Sequence, residues 1–483
     1  MNSNLLPKAL WTFFYELCQV PRASGNTQGV QDWLLNKAKL WNLEAYRDAV
    51  GNILICKAAT PGMEHFPPVV LQSHMDMVCE KNSDSTHDFS KDPIEPVVKG
   101  EWLHAKETTL GADNGIGVAA QLAVLASDEI KHGPLECLFT VDEETGLVGA
   151  LELQPQFFKA QKLINLDSEQ DGEIFIGCAG GVTSFARITF NMEKSPEKYF
   201  FFKVSVKGLL GGHSGDDIDK GRANANQVLA RFLWQEMKQT DLRLVSFSGG
   251  NLSNVIPREA TCIAAVPWEE KESVRVRLNC LIADLEEEFG TREPSLTLQL
   301  ESVPVQDSVL LKSDAIRFIA SIYCCINGIQ AMSYTMNDLV DTSTNLASVK
   351  PVNEGEWMIT TSQRSTYDSS KWDVVEKIQA HFALSGMAVS HGEGYPGWAP
   401  NPKSALLKTV KEAYVDLYQQ EPRIRAIHAG LECGLFLKKY PTLDMVSFGP
   451  TMHGVHSPDE RVHIPSVQRF WDLLVHTLQR IDS

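Results

Sequence analysis

At 483 residues and 53.7 kDa the chain exceeds what one hydrophobic core sustains, so two domains of roughly 200–250 residues are expected. Hydrophobic residues make up 43% and charged ones 22%, a globular composition that excludes a disordered or collagen-like chain. With 44 Lys and Arg against 61 Asp and Glu, the net charge of −17 argues against nucleic acid or an anionic membrane surface as a partner.

Leu10, Phe13, Phe14 and Leu17 recur at helical spacing and predict an amphipathic helix starting near Pro7. The same stretch lacks the basic start, apolar block and small-residue cleavage site of a secretory signal. Through about residue 185, short apolar runs alternate with helical patterns. Strands are predicted at 69–71, 138–141 and 163–166, with a helix from Ile116 through Val124. That alternation predicts an α/β, doubly wound domain with a mixed, largely parallel sheet. From about residue 190 the texture changes to strands at 200–206, 262–266 and 296–300, separated by charged helical stretches such as 284–289. The apolar run 318–326 stops at Asn327, short of the ~18 residues a membrane span requires. After the glycine-rich stretch beginning at Gly392 the first texture returns, with a helix near 405–417 and a strand near 445–448. An α+β domain of residues 188–390 is therefore expected as an insert between 1–187 and 391–483. The ten cysteines include no CxxC pair, which predicts a reduced, cytoplasmic protein with thiols packed as small hydrophobes, the Cys324–Cys325 pair included.

Acidic and histidine residues follow the apolar strands. His74 and Asp76 come after 69–71, Asp142, Glu143 and Glu144 after 138–141, and Asp167 after 163–166. His453 and His456 follow 445–448, and Asp113 stands immediately before the Ile116 helix. In an open parallel sheet such groups gather beyond the carboxyl ends of the strands, so these segments are expected to meet in one crevice. Singly, each has a plainer reading: a hydrogen-bonded structural histidine, a turn before a helix, a solvated acidic loop. Together they call for a counter-charge, because converging carboxylates resist ionising side by side. Two divalent ions would neutralise three carboxylates and a hydroxide, and mixed N/O donors suit Zn2+, Co2+ or Mn2+.

In order and spacing, these segments resemble the M20 family of metallopeptidases. The pattern runs His74-x-Asp76, Gly111-Ala-Asp113-Asn-Gly, Glu143-Glu144-x-Gly, Asn165-x-Asp167 and His456-Ser-Pro-Asp-Glu460. Further matching segments begin at Lys81, Thr108, His132, Gly177, Gly211, Asn254 and His428, so the likeness spans residues ~70 to ~465 and narrows to the family's bacterial dipeptidases. The resemblance implies two divalent ions per chain, Zn2+ before Co2+ or Mn2+, under an inserted lid domain expected to close over substrate. His74 and Asp167 would bind one ion, Glu144 and His456 the other, and Asp113 would bridge them. His453 competes with His456, and the spacing to Ser-Pro-Asp-Glu favours His456. Asp76 would accept the second N–H of His74, and Glu143 would be the general base. His213 would donate to the oxyanion, Arg364 would clamp the substrate's C-terminal carboxylate, and Asn254 and the Gly430 backbone would add substrate contacts.

The implied activity is hydrolysis of dipeptides, Xaa-His included, by a homodimer joined through the lid domain, with His213 serving its own or the neighbouring subunit. Two other readings are a deacylase of N-acyl amino acids and a non-catalytic metal-dependent binding protein. Glu143 argues against the second, since holding metal requires no spare base. Three positions depart from the family: Ser73 and Glu107 stand where Gly is usual, and Asp142 precedes the Glu pair where Thr is commoner.

Overall fold

The computed structural model describes residues 5–481. By contacts the chain divides into two units. One comprises Met1–Cys178, Trp398–Ala426 and Leu431–Ser483, the other Ala179–Gly397 and Ile427–Gly430.

An eight-stranded sheet organises the first unit. Its order is Glu44–Arg47, Ile53–Lys57, Leu135–Thr140, Val69–His74, Lys162–Asn165, Asp444–Ser447, Glu173–Cys178 and Arg423–Ile427. The four central strands, from Leu135–Thr140 to Asp444–Ser447, run parallel to one another. Antiparallel partners flank them on both sides. Every residue of Val69–His74 and Leu135–Thr140 is buried, so their apolar residues cluster in short runs and do not alternate, and the polar Gln72 and Thr140 among them are hydrogen-bonded to each other. The helix expected at Ile116 occupies Ala112–Ala126 and is buried along most of its length. The first helix, Lys8–Leu17, packs on it through Leu10, Trp11, Phe14 and Leu17. Phe13, expected inward, is half-buried and lies edge-on to Trp41 at 5.6 Å, leaving the inner position to Trp11.

The second unit is an antiparallel nine-stranded sheet in which Tyr199–Lys207, Ala260–Pro267, Arg243–Gly249, Val340–Asn353, Glu356–Ser365 and Gly180–Thr189 are successive neighbours. Phe202, Phe232, Phe247, Phe318, Trp357 and Phe382 fill one continuous core under the helices Ala225–Gln239, Lys271–Phe289, Lys312–Tyr323 and Asp368–Leu384. The 318–326 run is thus mostly the buried face of a helix, and among the described residues no helix is long and apolar enough to cross a membrane. Cys325 is buried as expected, whereas Cys324, one residue past the helix, is exposed.

Candidate metal centre

His74 is the last residue of its strand, and its ring is almost fully buried. Its Nδ1 donates to the main-chain oxygen of Asp76 at 3.2 Å. A carbonyl oxygen can only accept, so Nδ1 carries the proton and Nε2 offers a lone pair. That lone pair faces Asp113 Oδ1 at 3.1 Å and Asp167 Oδ1 at 3.3 Å. Acceptors meeting at these distances repel unless a proton or a metal ion lies between them. On the other side, His456 Nε2 lies 3.0 Å from Glu144 Oε2 and 3.4 Å from Asp113 Oδ2. Asp113 thus offers one oxygen to each imidazole. His74, Asp113 and Asp167 form one ligand-spaced triad, and Asp113, Glu144 and His456 another.

The electrostatics carry the same signature. Burial disfavours a charged His74, yet Asp167, joined by Asp113 and Asp76, raises its pKa well above the usual value. Hydrogen bonds to Asp113 and Glu144 push His456 up to about 11. Burial and then the charges of Asp113 and Glu144 lift Asp167 to about 6 against the pull of His74. The cage demands positive charge at its centre, and Glu144 Oε1 is buried with no hydrogen-bond partner among the described residues. Mixed imidazole and carboxylate donors without thiolate therefore fit a divalent cation.

Glu143 lies beside this cage within ligand distance of His74 and Glu144. Burial, followed by the charges of Asp167, Glu432 and Glu144, raises its carboxyl well above the usual range, with His74 opposing. The Asp76 carboxylate holds the turn that carries it. Oδ1 accepts from Glu143 N–H at 3.1 Å, and Oδ2 accepts from Glu144 N–H at 3.4 Å and Ser24 Oγ at 2.7 Å. The carboxylate stands 3.5 Å from His74 Nδ1, and the main-chain oxygen of Asp76, at 3.2 Å, is the nearer acceptor for the histidine. Asp142 adopts a left-handed φ of 51° and accepts from Gly25 N–H at 2.7 Å, a conformation Asp tolerates better than most residues.

Sequence reasoning missed the groups that brace these loops. The Glu460 carboxylate accepts from the N–H groups of Leu110 at 2.7 Å, Gly111 at 3.0 Å and Ala112 at 2.7 Å, tying the His456 loop to the Asp113 loop. Arg22, also buried, donates to Met75 O at 3.1 Å, Asp76 O at 2.9 Å and Gly111 O at 2.5 Å. Gly111 sits at φ 67° with Arg22 and Met77 where a Cβ would go, which explains the glycine. Beneath the strand ends, Glu432 accepts from Gln72 at 2.6 Å and Thr140 at 2.9 Å. Gln72 accepts from Asn165 at 2.6 Å, and Asn165 from Ser447 at 2.5 Å. One buried polar chain thus crosses all four parallel strands. Glu460 closes the His456-Ser-Pro-Asp-Glu pattern and Glu432 lies in the matching segment that begins at His428, which was the available signal; Arg22 offered none.

His453 does not join the cage: it is exposed and lies against Trp102 at 5.2 Å. Ser73 is hydrogen-bonded to Gln121 at 2.6 Å inside the core. Glu107, where Gly is expected from the resemblance, has φ 63°, a backbone that favours Gly.

The second unit gathers the remaining candidates. His213 follows two left-handed glycines, Gly211 and Gly212, and its Nδ1 accepts from Gly215 N–H at 3.3 Å and Asp216 N–H at 3.2 Å. Its Nε2 lies 3.3 Å from Arg364 Nη2, on the strand Glu356–Ser365. Asn254 is exposed, and its main-chain oxygen accepts from Ser214 N–H at 2.8 Å. Gly430 approaches the ring of Tyr395, whose hydroxyl accepts from Arg364 Nη1 at 3.1 Å. His428 is hydrogen-bonded to Ser343 Oγ at 2.7 Å, and burial, aided by Arg364, holds it down at about 3 and hence neutral. Neither Tyr395 nor the His428 ring had been assigned a role.

Residues 70–480 match the model of the peptidase family M20/M25/M40. The chain is 44% identical over 481 residues to the cytosol non-specific dipeptidase of Escherichia coli K12, covering 100% of this chain and 99% of that one. It is similar to the crystal structure of aminoacylhistidine dipeptidase from Vibrio alginolyticus, with a TM-score of 0.93 at 43% identity over 99% of this chain and 97% of that one. A tripeptidase from Staphylococcus aureus shares the fold, with a TM-score of 0.57 at 17% identity over 99% of both chains. These matches fall on a chain whose strand ends already gather a cation-demanding cage, and the chain is a member of peptidase family M20/M25/M40, a peptide-bond hydrolase.

Proposed function

We propose that the chain is a metal-dependent dipeptidase, acting in the cytoplasm on dipeptides that include the Xaa-His type. The dipeptidase names of both full-length relatives support the substrate class. The observation that carries the reading is the pair of ligand triads sharing Asp113, with Glu143 alongside. His74 and Asp167 would hold one ion, Glu144 and His456 the other, with Asp113 common to both and Zn2+ the first choice of metal. Divalent cations held there would act as Lewis acids on a peptide carbonyl and acidify a water molecule beside them.

The chain's own groups do the rest. Glu143, on a turn whose N–H is held by the Asp76 carboxylate, takes a proton from the attacking water and returns it to the leaving amine. His213 donates to the developing oxyanion, Arg364 receives the C-terminal carboxylate, and Asn254 and the Gly430 backbone contact substrate. Residues 1–187 and 391–483 are assigned as the catalytic domain and 188–390 as the lid and dimerisation domain.

A deacylase of N-acyl amino acids would also present a carboxylate to Arg364. Turnover of a free-amine dipeptide should exceed that of its N-acetylated form, should vanish on chelation, and should return with added Zn2+, Co2+ or Mn2+. Faster turnover of the acetylated form would assign the chain as a deacylase.

A further inference from the structure

Arg364 is 7% exposed, forms no ion pair with an Asp or Glu among the described residues, and has a buried Nε without a hydrogen-bond partner. A nearly buried guanidinium with a donor to spare calls for an anion. The groups around it leave that place open. His428 is neutral, and His213 already receives two backbone N–H groups on Nδ1.

Tyr395 is the remaining polar group in contact. Its oxygen accepts from Arg364 Nη1 at 3.1 Å, which uses a lone pair and leaves its own O–H free to donate. No acceptor for that O–H lies within reach among the described residues. The residue is held firmly. Its N–H donates to Gly181 O at 2.8 Å, and its main-chain oxygen accepts from Gly181 N–H at 3.0 Å and from buried Lys371 Nζ at 2.6 Å. Its ring lies between two glycine backbones, where a Cβ at Gly181 or at Gly430 would stand 2.7 Å from it. A fixed phenol beside a guanidinium fork provides converging donors of the kind a planar carboxylate accepts.

We propose that Tyr395 completes the receiver for the substrate's C-terminal carboxylate, holding Arg364 through its lone pair and donating its O–H to the carboxylate. The proposal rests on the carboxylate-binding role of Arg364 given above.

Tyr395→Phe keeps the ring between the glycines and removes only the hydroxyl. The variant, checked for native circular dichroism, is assayed on a dipeptide with the leaving amino acid as competitive inhibitor. KM and the inhibition constant are expected to rise together by about tenfold, the size of one hydrogen bond to a charged group, with kcat within twofold of wild type. Unchanged constants, or a fall in kcat with an unaltered inhibition constant, would overturn the role of Tyr395. Arg364→Ala separates the two claims. If it binds the amino acid as tightly as wild type does, the carboxylate reading of Arg364 fails and takes this proposal with it. Weakened binding in Arg364→Ala with none in Tyr395→Phe overturns Tyr395 alone.

Discussion

The two clusters have opposite electrical needs. In the first unit, carboxylates outnumber imidazoles and both histidines are drawn toward the protonated form, so the centre asks for cations. In the second, a nearly buried guanidinium stands among a neutral histidine, a phenol and glycine backbone, so the centre asks for an anion. They are also built differently. The first hangs on strand ends braced by buried carboxylates that grip main-chain N–H groups, while the second joins one strand to glycine-bearing loops. The contrast makes distinct demands on mutants.

The largest effect is expected at Glu143. Glu143→Ala should lower kcat by about 10²–10⁴-fold, the span for a positioned acid–base group, while elemental analysis finds the metal content of wild type. Loss of metal in that variant would make Glu143 a ligand and erase the distinction between base and cage. Next comes the bracing. Glu460→Ala leaves the four N–H groups of residues 110–113 without their acceptor, and metal affinity should fall by about 10–100-fold in a competition titration with a chromogenic chelator. An unaltered affinity would mean that the ligand loops hold their places without that grip. The smallest effect is expected at Glu107. Glu107→Gly relieves a left-handed backbone at an exposed position and should stabilise by about 1 kcal/mol in urea unfolding, with kcat/KM unchanged. A shift in substrate preference there would show that the Glu107 charge reaches the substrate.

Much of this was legible from residues alone, for identifiable reasons. Acidic and histidine residues follow the apolar runs at 69–71, 138–141, 163–166 and 445–448, so the segments of His74, Glu143, Glu144, Asp167 and His456 could be gathered before any coordinates. The resemblance to the family picked His74, Asp113, Glu144, Asp167 and His456 as the ligand set. Where the signal was weaker, tertiary contacts decided. Phe13 and Trp11 share one helical pattern, and only the neighbouring Trp41 determines which of them turns inward. Arg22 acts on carbonyls 53, 54 and 89 residues away, and no spacing rule reaches that far. Asp76 could be named, but not that its main-chain oxygen would be nearer His74 than its carboxylate, because that depends on the path of the backbone after the strand. Tyr395 escaped notice because a tyrosine in a Gly- and Pro-rich stretch reads as a turn, and its partner Arg364 lies on a distant strand.

The grip of Glu460 on peptide hydrogens has an evolutionary corollary. It bonds no side chain at 110–112, only the main chain, so a substitution there acts on the grip through the path of the main chain, and at Gly111 a Cβ would meet Arg22 and Met77. Inserting a single residue between His456 and Glu460 would instead carry one loop out of step with the other. Drift in this corner of the molecule is therefore limited by segment length as well as by the glycine at 111.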